Sequence, residues 1–511
     1  MFCFDKNIAH RVLLYMSIYL GMTKELYLVN PPNPGNMKGF PSSLLSLDLW
    51  VRQRCKDVIC EILDEEYTSM RDLEDSLKKK LSGAGETPYI GITATTATYQ
   101  DALGTAAVIK KIKPNAKIIL GGHHVTGQER IILQSHSDID FVVTKQGEKA
   151  LESILNNNIN AAGVWSREKE PALEYGLPLN ADELSTLDAR KFNSEFAFRS
   201  TQFKESNLIT ARGCPMGCAF CAVAKEKIVP QYPKLVVEQI DYLVKEAKKR
   251  GLEKTIAIQD NFFAQDKKRA QEIASLLIDY QKKTGEKLDW NMQTRVDQFN
   301  DEDFVSLMAK AGCSAAYFGI ENFDERILKL MKKAHNIQNY MNDTQKAIQN
   351  CLKYGIKPQI DFQVGTFGFD KTGKIIREDF ETEKINELAL KKIGKISELY
   401  GMKPLVFPSL SVVYPATEFY QSMRKMGVPK DIFETFTSYE REDSNYRSNL
   451  NGYFAHGNGG IPLGVLYLGS LVSGKIDLDN AQIQRVKNYV DRLRKIEGIV
   501  VHDFKNEVRE K

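Results

Sequence analysis

Three cysteines near the middle of the chain follow the spacing CxxxCxxC: Cys214, Cys218 and Cys221. A 4Fe–4S cluster is ordinarily held by four cysteine thiolates. Three thiolates in one short loop leave the fourth iron open to a substrate or cofactor. Gly213 and Gly217 lie in the same run, and glycine lets a loop curl without Cβ clashes. The spacing therefore predicts a 4Fe–4S cluster with one open iron.

Two other uses of these thiols stay open from the spacing alone. A zinc site needs a fourth ligand, and the nearest other Cys or His residues in sequence are the distant His136 and Cys313. A remote ligand could still fold back toward the loop. A zinc loop and ordinary buried thiols therefore remain as alternatives to the cluster.

Composition excludes several classes of protein. The chain has 511 residues, 42% of them hydrophobic and 27% charged, and a net charge of +4. This near balance gives no electrostatic support for nucleic acid or a membrane surface as a partner. Eight cysteines are too sparse for a disulfide scaffold. Because an exposed iron–sulfur cluster is sensitive to oxygen, we expect a reducing compartment and predict a cytoplasmic protein.

The N-terminal stretch 10–22 is apolar but shorter than the roughly 20 residues that span a bilayer. It resembles the apolar part of a signal peptide, yet no small-residue cleavage site follows. We interpret Met22 as the natural start and residues 1–21 as an N-terminal extension. No membrane span is predicted elsewhere.

Residues 22–160 alternate apolar strands with helical segments, which predicts an α/β domain built on a Rossmann-like, doubly wound parallel sheet. Predicted strands begin at Leu26, Tyr89, Lys117 and Phe141, and predicted helices cover 42–64, 101–113, 127–136 and 147–155. Ligands bind such sheets at the carboxyl ends of the strands. Small and hydroxylated residues occupy those ends at 93–98 and 121–126, which indicates a ligand pocket there.

Residues 161–205 have weak periodicity and are interpreted as a linker. A second βα series, 206–425, then contains six predicted strands, at 207–211, 255–259, 289–293, 315–319, 359–365 and 405–413. Six βα units predict a partial, TIM-type (β/α)6 barrel whose catalytic loops lie at the C-terminal ends of the strands. The cysteine loop follows the first of these strands. Residues 426–511 are interpreted as a small, mostly helical C-terminal region that shapes a substrate pocket.

A CxxxCxxC loop after the first strand of a βα series resembles the radical S-adenosylmethionine (radical SAM) superfamily. In that family the open iron binds the amino and carboxylate groups of SAM, and cleavage of SAM yields a 5′-deoxyadenosyl radical. An aromatic residue typically precedes the third cysteine, as Phe220 does here. Further segments resemble the later strands of the family in the same order: 258–263, 290–297, 317–322, 363–368 and 413–420.

This resemblance, which covers about 205–425, implies a set of SAM-binding positions and an external electron donor such as flavodoxin or ferredoxin. The matching positions are Phe220, Asp260, Gln293, Arg295, Glu321 and Thr366. Two positions depart from the family pattern. Asn322 replaces the Ser of Gly-Ile-Glu-Ser, and Ala416 replaces the Gly of Pro-Gly-Thr. Neither exchange removes a charged ligand, but both loosen the assignment of adenine and substrate contacts.

The N-terminal segment resembles the cobalamin-binding domain that precedes the barrel in one large radical SAM subfamily. Matching runs begin at Gly91, Ile119 and Asp138. The cobalamin-binding positions that this resemblance implies are Thr93, Thr95, Gly121, Gly122, His124, Gly147 and Glu148. The Asp-x-His-x-x-Gly signature that supplies an axial His is absent, so a corrin without a protein His ligand is expected. A plain Rossmann-like scaffold that binds no corrin remains an alternative.

Other candidate residues have simpler interpretations. His123 and His124 are adjacent on a predicted strand and so point to opposite faces, which disfavours one shared metal. The remaining cysteines, with Cys55 and Cys60 on one predicted helix, are interpreted as buried thiols rather than a second cluster. The lysine runs 78–80 and 332–333 are interpreted as solvated helix faces. His456, in the glycine-rich stretch 451–462, is either a substrate-site residue or part of a surface loop.

Together these features predict a cobalamin-dependent radical SAM methyltransferase that methylates an unactivated carbon of a small-molecule or natural-product substrate. The cofactors expected are a 4Fe–4S cluster, SAM and cobalamin. Two alternatives remain. One is a related oxidoreductase, cyclase or ring-rearranging enzyme with the same parts, and the other is a non-catalytic corrin-binding or redox-sensing protein. The motifs do not identify the substrate.

Overall fold

A computed structural model of the chain describes residues 23–32, 42–64, 70–192, 205–252, 254–370, 372, 374–434, 461–462 and 480–502. The first of two compact units extends to Leu179, and the second begins at Asn180, inside the predicted linker. The short stretch that begins at Lys191 groups with the first unit. Predictions for the extension 1–21 and for His456 concern residues outside this description.

The first unit is built on one six-stranded sheet in the order β2-β1-β3-β4-β5-β6. Its strands are β1 (Lys24–Val29), β2 (Val58–Leu63), β3 (Tyr89–Thr93), β4 (Lys117–Gly121), β5 (Phe141–Val143) and β6 (Val164–Ser166). Its helices are α1 (Ser42–Arg54), α2 (Met70–Leu81), α3 (Tyr99–Ile112), α4 (Glu129–Ser135) and α5 (Glu148–Leu155). All pairs are parallel except β5 with β6. The predicted Rossmann-like sheet is confirmed.

The strands of this sheet are mostly apolar because helices cover both faces of a parallel sheet. Leu26, Leu28 and Val29 are buried in β1, and Ile118 and Leu120 are buried in β4. The helices contribute one apolar stripe each; Leu73, Leu77 and Leu81 of α2, for example, are fully buried at helical spacing. This packing fixes the carboxyl edge of the sheet, where the predicted ligand residues lie.

Two strands of the first sheet were not expected. The segment 42–64 was predicted as one helix, but α1 ends at Arg54 and β2 begins at Val58. Cys55 and Cys60 therefore do not share a helix, because Cys60 lies on β2. The strand β6 occupies part of the predicted linker and pairs antiparallel with β5. Its three residues are too few to show a periodic pattern.

The second unit contains a seven-stranded parallel sheet in the order β19-β16-β13-β12-β11-β10-β7. Its strands are β7 (Ser206–Leu208), β10 (Thr255–Ile258), β11 (Asp289–Thr294), β12 (Cys313–Glu321), β13 (Lys357–Val364), β16 (Leu405–Leu410) and β19 (Val500–Val501). Short two-stranded pairs complete the set: β8 (Ala211–Arg212) with β9 (Val229–Pro230), β14 (Phe367–Phe369) with β15 (Ile375–Arg377), and β17 (Val412–Val413) with β18 (Ile461–Pro462).

Ten helices of the second unit are described. They are α6 (Ala181–Thr186), α7 (Pro233–Lys249), α8 (Lys267–Thr284), α9 (Val296–Phe299), α10 (Glu302–Lys310), α11 (Glu325–Leu330), α12 (Ile337–Lys353), α13 (Phe380–Glu398), α14 (Glu418–Lys425) and α15 (Asn480–Leu493). No described helix is long and apolar enough to cross a bilayer.

Side-chain caps explain where several of these helices begin. The side chains of Asp266, Asp301, Asn336 and Asp379 each accept a hydrogen bond from a backbone N–H in the first turn of α8, α10, α12 and α13. Such caps satisfy donors that have no partner inside the helix. The caps start the helices at fixed distances from the strands and so set the lengths of the strand-to-helix loops.

The six predicted strands are neighbours in chain order, which confirms the partial barrel. The edge strands β7 and β19 are not paired with each other among the described residues, so the sheet is open. The seventh strand, β19, comes from the predicted C-terminal region and pairs with β16. Its approach depends on two glycines: a Cβ on Gly394 of α13 would lie 2.1 Å from the carbonyl oxygen of Glu497, and Gly498 has a φ of +77°.

A buried carboxyl group joins the ends of β12 and β13. Glu378 accepts hydrogen bonds from the Asn322 amide and from the Gly365 N–H, both at 2.5 Å. Its own N–H donates to the Thr366 carbonyl at 2.8 Å. Burial raises the pKa of Glu378 to about 8, so the group carries a proton at neutral pH. Asn322, the departure from the family pattern, thus has a definite structural partner.

We expect Glu378 to make stability depend on pH. Its pKa in the folded chain lies above its unfolded value of about 4.3. The stabilisation of the folded chain by protonated Glu378 is therefore complete at low pH and is lost as the pH rises toward about 8. Protonated Glu378 should make the free energy of unfolding fall by about 1.4 kcal/mol per pH unit between about pH 5 and about pH 8. Glu378→Gln should abolish this part of the pH dependence. Urea unfolding at several pH values measures it.

A matched control is Glu398→Gln, because Glu398 is exposed at the end of α13. This variant should keep the wild-type slope. Equal slopes in wild type and Glu378→Gln would contradict the assignment of a protonated Glu378.

Candidate functional site

Two residues separate the end of β7 from β8, where the cysteine loop begins. Backbone hydrogen bonds fix the conformation of this loop. The Cys221 N–H donates to the Cys218 carbonyl at 3.2 Å, and the Lys225 N–H donates to the Met216 carbonyl at 2.7 Å. Gly213 has a φ of +88°, and a Cβ there would lie 2.3 Å from the Lys227 carbonyl oxygen. The loop therefore needs glycine at this position.

The three thiols lie together in this loop with different exposures. Cys218 is buried, whereas Cys214 and Cys221 are partly exposed. Burial raises the pKa of Cys221 to about 11 and also raises the pKa of Cys214. The cations Arg295 and Lys333 act in the opposite direction on Cys214. Because cluster ligands must be thiolates, cluster binding would release protons here, and the two cations favour that release.

Among the described residues, no three His, Cys, Asp or Glu side chains converge as they would around one metal ion. Thiolates that hold a cubane bind different irons and need not converge on one point. Three thiols in one curled, cation-flanked loop suit a cluster ligand set.

A buried ion pair, Lys333 with Glu321, lies beside the thiols. The Lys333 Nζ is 2.9 Å from Glu321 Oε1, and Gln363 donates to Glu321 Oε2 at 2.9 Å. Burial lowers the pKa of Lys333, but Glu321 raises it further, so the ammonium group stays charged. The same Nζ is 6.0 Å from the centre of the Phe220 ring. This pair places a fixed positive charge next to the cysteine loop.

The assignment of Lys333 to a solvated helix face was wrong. Its side chain is 6% exposed and paired, whereas the neighbouring Lys332 is exposed and pairs with Glu418. A charged run in sequence does not show that one of its members turns inward. In the sequence, only Glu321 of the family-like strand could have indicated a buried lysine, because a buried carboxylate needs a partner.

The loop and the ion pair are joined through the backbone. The Ala219 N–H donates to the Met331 carbonyl at 2.9 Å, and the Phe419 N–H donates to the Ala219 carbonyl at 3.0 Å. Arg295 donates to the Lys333 carbonyl at 3.3 Å and pairs with Asp297 at 3.2 Å. Segments 219–220, 331–333 and Arg295 therefore form one connected group around the thiols.

Asp260 lies under the start of the cysteine loop. Its carboxylate accepts from the Thr210 N–H at 2.6 Å, the Thr210 hydroxyl at 2.5 Å and the Ala211 N–H at 2.8 Å. Arg269 donates to the Thr210 carbonyl at 2.9 Å. These bonds occupy the carboxylate and make it a clamp for the residues just before the loop. The predicted contact of Asp260 with SAM stays a prediction beside this structural role.

Of the other predicted SAM positions, Phe220 and Arg295 are in the connected group, and Glu321 is joined to it through Lys333. Gln293 is exposed at the end of β11, and Thr366 is buried just beyond β13. The Thr366 hydroxyl has no hydrogen-bond partner among the described residues. Neither side chain is hydrogen-bonded to Cys214, Cys218 or Cys221 among the described residues. They share only the carboxyl edge of the sheet with them.

The two departures from the family pattern, Asn322 and Ala416, each have a specific structural setting. Asn322 is fully buried against Glu378. Ala416 has a φ of +61°, in the left-handed region that glycine adopts freely. Glu321 shares this region with a φ of +71°. Such values cost non-glycine residues about 1–3 kcal/mol and occur preferentially at functional sites.

In the first unit, the predicted cobalamin positions follow three neighbouring parallel strands. Thr93 ends β3, Gly121 ends β4, and Gly147 precedes α5. Exposed Thr95 and buried Thr98 exchange hydrogen bonds, with their hydroxyls 3.1 Å apart. Carboxyl ends of parallel strands share one edge of a sheet. Small side chains at this edge allow a ligand to approach the backbone.

Three of the remaining positions are packed inside the unit. A Cβ on Gly122, whose φ is +104°, would lie 2.4 Å from the Ala94 carbonyl oxygen. His124 is buried with its ring stacked on Tyr99, 4.0 Å between centres, and burial lowers its pKa to about 3. Glu148 is also buried. These residues shape the strand-end loops, and their contact with cobalamin stays a prediction.

Two family models match the chain. The radical SAM superfamily model matches residues 208–374, and the B12-binding domain model matches residues 70–155. A radical SAM domain implies a 4Fe–4S cluster and SAM, and a B12-binding domain implies cobalamin. The three predicted cofactors are confirmed by this domain content.

Relatives of known name agree with these domains. An uncharacterized methyltransferase of Pyrococcus horikoshii is 28% identical over 415 residues, which cover 78% of this chain and 82% of the relative. An anaerobic magnesium-protoporphyrin IX monomethyl ester cyclase of Rubrivivax gelatinosus is 25% identical over 320 residues, which cover 57% of this chain and 53% of the relative. The chain thus spans about half the length of the cyclase.

Two solved structures share the fold. The radical SAM methyltransferase TsrM of Kitasatospora setae, solved with tryptophan substrate and a SAM analogue, superposes with a TM-score of 0.60 at 17% identity, covering 80% of this chain and 77% of TsrM. The cobalamin-dependent radical SAM enzyme OxsB superposes with a TM-score of 0.57 at 16% identity, covering 83% and 57%. A region that matches the B12-binding domain model thus precedes a region that matches the radical SAM superfamily model, in a chain that shares its fold with TsrM and OxsB.

Proposed function

We propose that the protein is a cobalamin-dependent radical SAM methyltransferase acting on an unactivated carbon of a small-molecule or natural-product substrate. The observation that carries this proposal is the three-cysteine loop flanked by the buried Lys333–Glu321 pair, in a chain that also has a B12-binding domain. When bound, the cluster and SAM supply a radical that removes a substrate hydrogen atom, and cobalamin supplies the methyl group.

The side chains around the loop have separate tasks in this proposal. Cys214, Cys218 and Cys221 hold three irons and leave the fourth for SAM. Lys333 provides a positive charge that offsets the negative charge of a reduced cluster, since net charge sets the potential of such clusters. Glu321, fixed by Lys333 and Gln363, presents a carboxylate at the end of β12 for hydroxyl groups of SAM.

Phe220 and Thr366 complete the proposed SAM site. The Phe220 ring is partly exposed beside the cysteines and offers a flat apolar surface to adenine. The buried Thr366 hydroxyl offers a donor and an acceptor with no partner among the described residues. Gln293 and Arg295 line the same edge from β11. Asp260 acts through the loop, as a positioning residue.

For cobalamin, we propose the strand-end residues of the first unit as the site. Thr93, Thr95 and Gly121 keep the edge open, and Gly122, Gly147 and Glu148 fix its loops. His124 is neutral and stacked on Tyr99. The only histidines before it in the sequence are His10, in the extension, and His123. A cobalamin held without an axial His fits this arrangement.

Relatives support methyl transfer and also provide the main rival. One relative is named a methyltransferase, and TsrM is a methyltransferase of the same fold. The relative named a cyclase favours the alternative of ring formation. An external reductant such as flavodoxin or ferredoxin, and hence a cytoplasmic location, belongs to either reaction.

The proposal predicts two products from SAM. Anaerobically reconstituted protein with cobalamin and a strong reductant should convert SAM into 5′-deoxyadenosine and S-adenosylhomocysteine, both measured by mass spectrometry. Cys218→Ala should lose 5′-deoxyadenosine and most of its roughly four irons per chain. Because its thiol lies in the second unit, the variant should keep the corrin absorbance of the wild type.

The ratio of the two products separates the candidates. 5′-Deoxyadenosine without S-adenosylhomocysteine would contradict the methyltransferase and favour the cyclase-type reaction. Corrin binding with neither product would indicate a non-catalytic corrin-binding protein.

Asp260 gives a test of the clamp under the loop. In Asp260→Asn, the amide NH₂ faces backbone N–H donors, so at least one buried bond is lost. We expect a loss of about 1–3 kcal/mol in stability. We also expect a changed electron paramagnetic resonance spectrum of the reduced cluster, which a purely global loss of stability would not produce.

The matched control is Asp279→Asn, because Asp279 is exposed on α8 in a weak surface pair with Lys282. It should leave the spectrum and the iron content unchanged. A wild-type spectrum in Asp260→Asn would contradict the positioning role.

A further inference from the structure

The inner face of the barrel sheet carries a second polar group that the SAM site does not use. On β13, Ile360 and Phe362 are fully buried on the helix side, whereas the alternating Gln359 and Asp361 are partly exposed on the other side. Residues two apart share one face of a strand. We call this side of β12, β13 and β16 the inner face.

Neighbouring strands bring three side chains together on the inner face. Asp361 is in register with Gly319 of β12 and with Phe407 of β16. The Ser409 hydroxyl donates to Asp361 Oδ1 at 3.1 Å. Tyr317 lies two residues before Gly319 and so is on the same face of β12, and burial and the nearby Asp361 carboxylate raise the pKa of its hydroxyl. We call Tyr317, Asp361 and Ser409 the acidic triplet.

The acidic triplet lacks a positive charge. The hydroxyl of Ser409, which donates to Asp361, is neutral, and Asp361 makes no ion pair among the described residues. The charge of Lys333 acts on Asp361, but Lys333 is already paired with Glu321. A Cβ on Gly319 would lie 2.5 Å from the Glu321 carboxylate and 3.0 Å from Lys333 Nζ, which places that pair over the same face. This face therefore has two carboxylates, those of Glu321 and Asp361, and one ammonium group, that of Lys333.

This excess of negative charge destabilises the folded protein when no ligand is bound. A carboxylate that is partly removed from water is stabilised by a paired cation, and without one its protonated form is favoured. Burial and the nearby Glu321 raise the pKa of Asp361, in line with a missing cation. A ligand that brings a positive charge would remove the imbalance.

The surroundings of the triplet indicate the rest of the ligand. The rings of Tyr317 and Phe407 are 5.7 Å apart, and the Phe407 ring is 5.1 Å from that of His502. These rings are tilted to one another by 48° and 33° and form an aromatic wall beside Asp361. Beyond Ser409, the Ser411 side chain is fully buried, and its hydroxyl has no hydrogen-bond partner among the described residues. It adds an unused polar group at the same strand end.

We propose that the acidic triplet is the substrate-recognition subsite of the barrel and takes a protonated amine attached to an aromatic or otherwise flat group. Asp361 binds the ammonium group, Ser409 orients the carboxylate, and the wall of Tyr317 and Phe407 packs against the flat part. This inference rests on the proposed function in that it names the substrate class of the same barrel.

The test compares three probes of equal ring and similar length: 2-phenylethylamine, 2-phenylethanol and 3-phenylpropanoate. Their binding to reconstituted, SAM-loaded full-length protein is measured by calorimetry. Wild type should bind the amine at least about tenfold more tightly than the alcohol or the carboxylate. Asp361→Asn, which keeps the shape of the side chain, should lose this preference. Asp303→Asn, an exposed aspartate on α10, should retain it.

The three-probe comparison on wild type needs no variant, so a poorly folded Asp361→Asn does not stop the test. Equal affinity for amine and alcohol, preference for the carboxylate, or no binding of the amine at millimolar concentration would overturn the proposal. So would an amine preference that persists in Asp361→Asn. Binding is measured without turnover. Selective amine binding without S-adenosylhomocysteine formation would therefore keep this subsite while contradicting the methyltransferase.

Discussion

The buried ion pair between Lys333 and Glu321 is the interaction on which the site depends. Removing one partner of a buried pair typically costs about 3–5 kcal/mol because the other charge is left uncompensated. The pair fixes the end of β12 against the turn after α11, and the backbone of that turn holds Ala219 in the cysteine loop and Arg295 after β11. One electrostatic contact thus couples two strand ends to the metal-binding loop.

The Lys333–Glu321 pair also acts electrostatically on two other groups, the cysteine thiols and the Asp361 carboxylate. Toward the cysteines, Lys333 and Arg295 favour thiolates against the effect of burial. Toward the inner face, Glu321 and Asp361 repel one another, which leaves Asp361 in need of a cation. A carboxyl group farther along, Glu378, avoids this conflict by remaining protonated between the ends of β12 and β13. The carboxyl groups of Glu321, Asp361 and Glu378 are therefore accommodated in three different ways.

Much of this arrangement could be predicted from sequence. Alternation of apolar strands with helical segments predicted both parallel sheets, and the cysteine spacing predicted the loop after the first barrel strand. The strand β2 was missed because the apolar spacing of α1 continues into it. The strand β19 was missed because two residues carry no pattern. Lys333 was misassigned because its neighbours Lys332 and Ala334 give no sign that its side chain turns toward Glu321, 12 residues earlier.

The central claim is that the three-cysteine loop holds a cluster whose open iron binds SAM. Electron–nuclear double resonance on the reduced protein, with SAM labelled with ¹⁵N in its amino group and ¹⁷O in its carboxylate, tests this directly. The account predicts hyperfine coupling of both labels to the cluster. An intact cluster that binds labelled SAM but shows neither coupling would contradict it.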